Sequence, residues 1–349
     1  MNSPAVVTST GFSPQGLLKQ FKTLQGPNFE RVLEMPIAPV YVSLASHSGI
    51  PVDFKIDATK RTAEDPTITP LLRAALMKVV ADPKGEVNGE SSSVTSMKLD
   101  PTTNQVDLVV RPTEFFMGRA VARHLSKEPE ATDLNYLVRN SPHMLNVSLI
   151  VITEIAGQRY LLCQEKGKAI GSGAIHTLFA GNVSAKNLAQ DNPLLAGLMT
   201  QAHEEIGLSL DPRNLKPVAF VSELGLGMLN VAYAAFTPDS ERILGAFEAK
   251  TKVQLNKLRE SGQLETRGIG FAPVNALLAI PLDGKGAVAS GPVIMYRAND
   301  DGSLEILRYA NRQIRPYWEA MSQLISKHPT LIDSWAERFE LKTGNESNG

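Results

Sequence analysis

Apolar positions along this chain recur with a period of two in many short runs and with a period near 3.6 in a few longer ones, which predicts a mixed α/β protein. Two strands, Val40 to Ala45 and Val52 to Ile56, flank a Ser-Gly turn. Thr69 then stands as an N-cap with Pro70 at the first helical position, and Leu71, Leu72, Ala75, Leu76, Val79 and Val80 keep helical spacing. The stretch 81–105 is rich in Ser, Gly, Asn and Pro and reads as a loop, or as a hairpin with a long tip, before a strand at Gln105 to Arg111. A short helix at Arg119 to Leu125 leads into the connector KEPEATD, and a domain boundary falls between about Ser126 and His143. One further helical candidate, Gln15 to Leu24, lies in an otherwise polar amino-terminal stretch.

The second half opens on a hairpin, Val147 to Ile155 and Arg159 to Glu165, joined through Ala156, Gly157 and Gln158. A basic glycine-rich stretch follows, then Phe179-Ala180-Gly181 and a long polar loop, Ser184 to Asp191. Next comes a helix with a marked start and stop: Asn192 as N-cap, Pro193 at its first position and Gly207 as a left-handed closing residue. Leu195, Leu198, Met199, Ala202 and Ile206 form its expected buried stripe, and Gln201, Glu204 and Glu205 project together from a neighbouring face. Two adjacent carboxylates near a helix carboxy terminus oppose the macrodipole, and a divalent metal is one candidate to offset them. Strands at Leu215 to Leu224 and Leu229 to Phe236 pair across Gly225-Leu226-Gly227. A helix at Ile243 to Leu258, a strand at Gly268 to Ala272 and a short helix at Val274 to Ala279 come next. A hairpin, Pro292 to Ala298 with Ser303 to Tyr309, turns over Asn299 to Gly302, and helices at Pro316 to Lys327 and Thr330 to Leu341 close the chain.

Composition narrows the class. With 349 residues, 43% of them hydrophobic and 20% charged, the chain is expected to fold as more than one globular unit. The expected division is a loose segment 1–35, an amino-terminal α+β domain 36–140 of open role, a second domain 141–312 and a helical extension 313–349. A net charge of −1 argues against a dedicated nucleic-acid surface. The single cysteine, Cys163, excludes an intramolecular disulfide framework and a multi-cysteine zinc site. No apolar run reaches membrane-span length and the first residues lack signal-peptide character, so a cytoplasmic protein is expected.

The order of the second domain resembles the Nudix superfamily, an α/β/α sandwich with a mixed sheet that hydrolyses a nucleoside diphosphate linked to another group. The family's signature runs from a glycine to a helix carrying Arg-Glu-aliphatic-x-Glu-Glu-x-Gly-aliphatic. Here Glu204-Glu205-Ile206-Gly207-Leu208 matches its end, Ala202 fills the small apolar position, and Gly181 matches the turn glycine. The Arg-Glu pair is replaced by Thr200-Gln201, and the intervening loop is five residues longer than in the family. The likeness covers roughly Asn146 to Leu282.

The resemblance implies magnesium or manganese as cofactor, because pyrophosphate cleavage needs its developing charge neutralised and a water made nucleophilic. It implies Glu205 as a metal ligand and Glu204 as a ligand or the general base, with Glu205 ranked first and Gln201 as a neutral third donor. Glu223, Glu265 and Asp191 are candidates to supply a further acid, and Lys166 and Lys168, beside the glycine-rich stretch, to meet phosphate oxygens. Losing the Arg-Glu pair leaves local net charge unchanged, which the fold tolerates. Disturbing such supporting groups typically costs metal affinity about 10–100-fold. The implied ligand is a small nucleotide diphosphate derivative. The competing expectation is a Nudix-fold module that binds such a ligand without cleaving it, for regulation or assembly, and the terminal helices are the candidate contact for a homo-oligomer. The remaining histidines share no metal-ligand spacing; His176, near the glycine-rich stretch, is a candidate substrate contact. Cys163, Trp318 and Trp335 read as packing residues.

Overall fold

The central strand explains itself from its sequence. MLNVSLIVIT, residues 144–153, is buried throughout, as expected of a strand covered on both faces rather than one alternating between core and solvent. In the computed structural model the described residues are 29–35, 40–45, 49–60, 62, 68–84, 86–100, 102–103, 105–124, 143–166, 175–176, 178–211, 213, 215–223, 227–261, 266–277, 279–282, 286–299, 301–309, 313–314 and 316–340. The candidates Lys168, Glu265 and the helix at Gln15 to Leu24 lie outside them.

In chain order the elements are β1 (Phe29–Met35), β2 (Val40–Ala45), β3 (Val52–Ile56), α1 (Pro70–Ala81), β4 (Glu90–Asp100), β5 (Gln105–Glu114), α2 (Phe115–Arg123), β6 (Met144–Ile155), β7 (Gln158–Lys166), β8 (Ile175–His176) and β9 (Leu178–Asn182). They continue with α3 (Ala185–Leu188), α4 (Pro193–Ile206), β10 (Pro217–Glu223), β11 (Met228–Thr237), α5 (Ser240–Ser261), β12 (Thr266–Pro273), β13 (Ala279–Leu282), β14 (Gly286–Ala289), β15 (Val293–Ala298), β16 (Leu304–Tyr309), β17 (Gln313–Ile314), α6 (Pro316–Ser326) and α7 (Leu331–Arg338). The strands join into one mixed sheet. β6 pairs parallel with β11 and antiparallel with β7 and β9; β10 pairs with β11, and β12 bridges β7 and β15. Pairing also crosses the connector between the halves: β2 lies antiparallel to β10, and Ser93 of β4 meets Met144 of β6.

Side-chain parity along β6 assigns the helices to faces. Val147 meets Gly197 of α4. Ile152, of opposite parity, registers with Phe236, whose ring lies under Arg159, and Arg159 comes within 3.9 Å of Asp333 in α7. Thus α4 and α7 cover opposite faces of the central strand.

Local chemistry accounts for the boundaries. The β6–β7 turn is tighter than expected, two residues with Ala156 and Gly157 both at positive φ, the twist that a two-residue hairpin prefers. Thr69 accepts from the Leu72 amide and caps α1 as expected. Four expectations change. The Ser-rich stretch is a hairpin arm with a short tip, where Asp100 accepts from the Thr102 amide at 2.7 Å. Small hydroxyl side chains at Ser91, Ser92 and Ser93 sit buried in β4, and composition hides that strand because loops favour the same residues. The polar loop Ser184 to Asp191 contains α3, closed by a reciprocal capping box between Ser184 and Asn187. The helix expected from Arg119 starts at Phe115, and the one expected at Val274 to Ala279 is a 3-10 turn, Val274–Leu277, followed by β13.

Candidate functional site

The helix α4 is built as its ends foretell. Asn192 Oδ1 accepts from the Leu195 amide at 3.1 Å, and Pro193 occupies the first helical position. At the other end Gly207 adopts φ 72°, its amide donates to His203 O, the 5→1 bond of an αL closure, and the Leu208 amide donates to Ala202 O. Its rotation about its own axis differs from expectation. Leu194, Gly197, Leu198, Ala202, Glu205 and Ile206 are buried, whereas Met199 is exposed. Gly197 is responsible: without a side chain it lets α4 come within van der Waals reach of Val147 and Val183, where an added Cβ would stand 3.3 Å from each.

That rotation separates the two carboxylates expected to act together. Glu204 is exposed, while Glu205 is fully buried. Glu205 Oε2 accepts a hydrogen bond from Gln164 Nε2 at 3.0 Å, and Gln164 Oε1 accepts one from Thr266 Oγ1 at 2.9 Å. The half-buried Gln201 faces inward, and its carboxamide lies so close over Gly181 that a Cβ there would overlap Cδ, Oε1 and Nε2. The two halves of the motif, far apart in the loop-extended sequence, therefore touch. Here the glycine is required by close approach.

Lys166 ends β7, paired with Thr266. Glu223 registers with Met228, and Met228 with Met144, which puts its Cβ on the face of the sheet turned away from α4. There it accepts a 2.9 Å hydrogen bond from Asn230 Nδ2. Asp191 is exposed, and His176 registers with Gln164 across β7 and β8, so it shares the face that carries Glu205's partner. Behind that face Glu165 accepts from the Tyr309 hydroxyl at 3.2 Å, and Cys163 is buried, its thiol pushed up to about 12 by burial.

Sequence reading missed Gln164 and Thr266. Gln164 was within reach: in RYLLCQE it has the parity of the buried Leu162, so a polar side chain was due to point inward. Thr266 had no such signal, because it begins its strand.

The divalent ion that the resemblance implies would need converging acidic side chains. Among the described residues no group of three or more His, Cys, Asp or Glu side chains converges as a metal cage. Glu205 is buried on Gln164, Gln201 is spread over Gly181, and Glu204 points to solvent. These positions do not fit a preformed metal centre.

No protein-family model matches the chain, and no curated protein matches it. Among solved structures it is similar to the Nudix domain of Shewanella oneidensis NrtR complexed with ADP ribose, at 16% identity over 28% of this chain and 62% of that one, TM-score 0.24. A MutT/nudix family protein from Enterococcus faecalis matches at 10% identity over 54% and 62% of the two chains, TM-score 0.29. Shewanella oneidensis NrtR itself matches at 13% over 40% and 56%, TM-score 0.25. Each match spans less than two thirds of the solved chain. At such TM-scores the chemistry of the site rests on its own geometry. Among the described residues no helix is long and apolar enough to cross a membrane.

Proposed function

We propose that this chain is a Nudix-type protein that takes a nucleoside diphosphate linked to another moiety and hydrolyses its pyrophosphate bond beside the carboxy-terminal half of α4. The observation that carries the proposal is the contact between the motif's two halves: Gln201 lies on Gly181, with the exposed carboxylate of Glu204 three residues further along the same helix. In this reading Glu204 accepts the proton of the attacking water, and Gln201 offers its amide to the ligand. Lys166 and Lys168 contribute positive charge toward the phosphates. Magnesium or manganese belongs with the ligand's phosphates rather than to a protein cage, since magnesium is commonly held by one or two carboxylates plus substrate phosphates. A cytoplasmic location belongs to the same proposal, as does a homo-oligomer formed through the terminal helices.

A second reading, binding without cleavage, rests on two observations: the position that is acidic in the family is the neutral Gln201, and Glu205 is withdrawn into the interior. A panel of ADP-ribose, NAD, dinucleoside polyphosphates, nucleotide sugars, CoA and nucleoside triphosphates, each with Mg²⁺ or Mn²⁺, separates the two. Release of a nucleoside monophosphate from at least one compound is the expected result. Saturable binding of a panel compound with no product supports the second reading. A protein that neither binds nor cleaves any of them refutes both.

A further inference from the structure

From the chain of buried hydrogen bonds that joins Thr266, Gln164 and Glu205, we infer that Glu205 is an interior anchor tying α4 to β7 and β12, not a cation ligand, and that Gln164 and Thr266 are its positioning residues. The three side chains are 5%, 0% and 0% exposed, so each polar atom must find its partner inside the protein. The chain has a fixed polarity. Thr266 donates to the carbonyl end of the Gln164 amide, which turns the NH₂ end toward the carboxylate. Glu205 Oε2 is an acceptor in this contact, so the reversed amide would set Gln164 Oε1 against it as a second acceptor.

The arrangement also answers the electrostatic problem posed by the sequence. Glu205 is the penultimate residue of α4, where the helix dipole disfavours negative charge. The hydrogen bond from Gln164 gives that carboxylate a partner inside the protein, where a metal is the other candidate. With no exposed surface and its Oε2 engaged by Gln164, Glu205 cannot enter the coordination shell of an ion held outside by a ligand's phosphates. The inference does not depend on the nucleotide reading, because it concerns how the helix is held.

The experiment uses the full chain and two readouts, thermal midpoint and Mn²⁺ binding followed by electron paramagnetic resonance. Gln164→Leu removes the donor to the buried carboxylate and is expected to lower the midpoint by roughly 5–10 °C, as losing a buried hydrogen bond to such a group does. The double variant Gln164→Leu/Glu205→Leu removes donor and acceptor together and is expected to recover at least about half of that loss. Thr266→Val, which removes the orienting hydroxyl, falls between the wild type and Gln164→Leu. Glu205→Gln keeps an acceptor oxygen toward the amide, and its Mn²⁺ affinity is expected to equal that of the wild type. The inference is overturned if Mn²⁺ raises the wild-type midpoint and Glu205→Gln abolishes the rise. It is equally overturned if Gln164→Leu is as stable as the wild type, or if the double variant is no more stable than the single one. Should Gln164→Leu not fold, the Mn²⁺ comparison between the wild type and Glu205→Gln still decides.

Discussion

Glu204→Gln is expected to slow turnover of the cleaved panel compound by about 10²–10⁴-fold, the range contributed by a positioned general base, with little change in stability. The substitution preserves size and removes the negative charge, and with it the capacity to take a proton. Because Glu204 is exposed, nothing in the interior depends on its charge. Glu205→Gln is expected to cost less than about tenfold in turnover, through slight movement of α4, since its amide oxygen still accepts from Gln164. The measurement is kcat and KM for both variants beside their thermal midpoints. A large loss confined to Glu205→Gln would make Glu205 the working carboxylate and restore the order of importance that the family motif alone suggests.

The second large effect concerns how the helix ends. Gly207→Ala is expected to destabilise the protein by about 2–5 kcal/mol, combining the cost of a left-handed conformation for an L-residue with overpacking. Gly207 sits at φ 72°, and an added Cβ would stand 2.8 Å from the Ala246 carbonyl oxygen in α5. A backbone oxygen inside a helix cannot swing aside as a side chain can. Gly157 is the matched control. It has nearly the same φ, 76°, but nothing within 4 Å of the added Cβ, so Gly157→Ala is expected to cost only about 1–2 kcal/mol. Urea denaturation of the two variants reads the difference directly. Equal losses would mean that the contact with α5 contributes nothing.

These two helix residues also show where sequence reading stops. The caps of α4, its αL closure and the neighbouring hairpins follow from residue types whose local preferences act within a few positions: Asn192, Pro193, Gly207, and the Ala156–Gly157 turn. The rotation of α4 does not. Glu204 and Glu205 stand about 100° apart on the helix, so its rotation about its own axis decides which of them faces solvent. That turn is set by Gly197, which a hydrophobic stripe cannot count because it has no side chain, against Val147 and Val183 far away in sequence. Met199 was drawn into the stripe in its place. The same limit hid β4, whose serines are interior only because β5 pairs along their length, and the pairing of β2 with β10, which is written in neither strand alone.

In the proposed reading the ligand site lies at the carboxy-terminal half of α4, beside the contact of Gln201 with Gly181, and hydrogen–deuterium exchange tests that placement most directly. The wild-type chain is compared with and without the tightest-binding compound of the panel. Slowed exchange in peptides covering 178–184 and 199–208 is the predicted result. Protection elsewhere, on the Glu223 and Asn230 face of β10 and β11 for instance, with those two peptides unchanged, would contradict it.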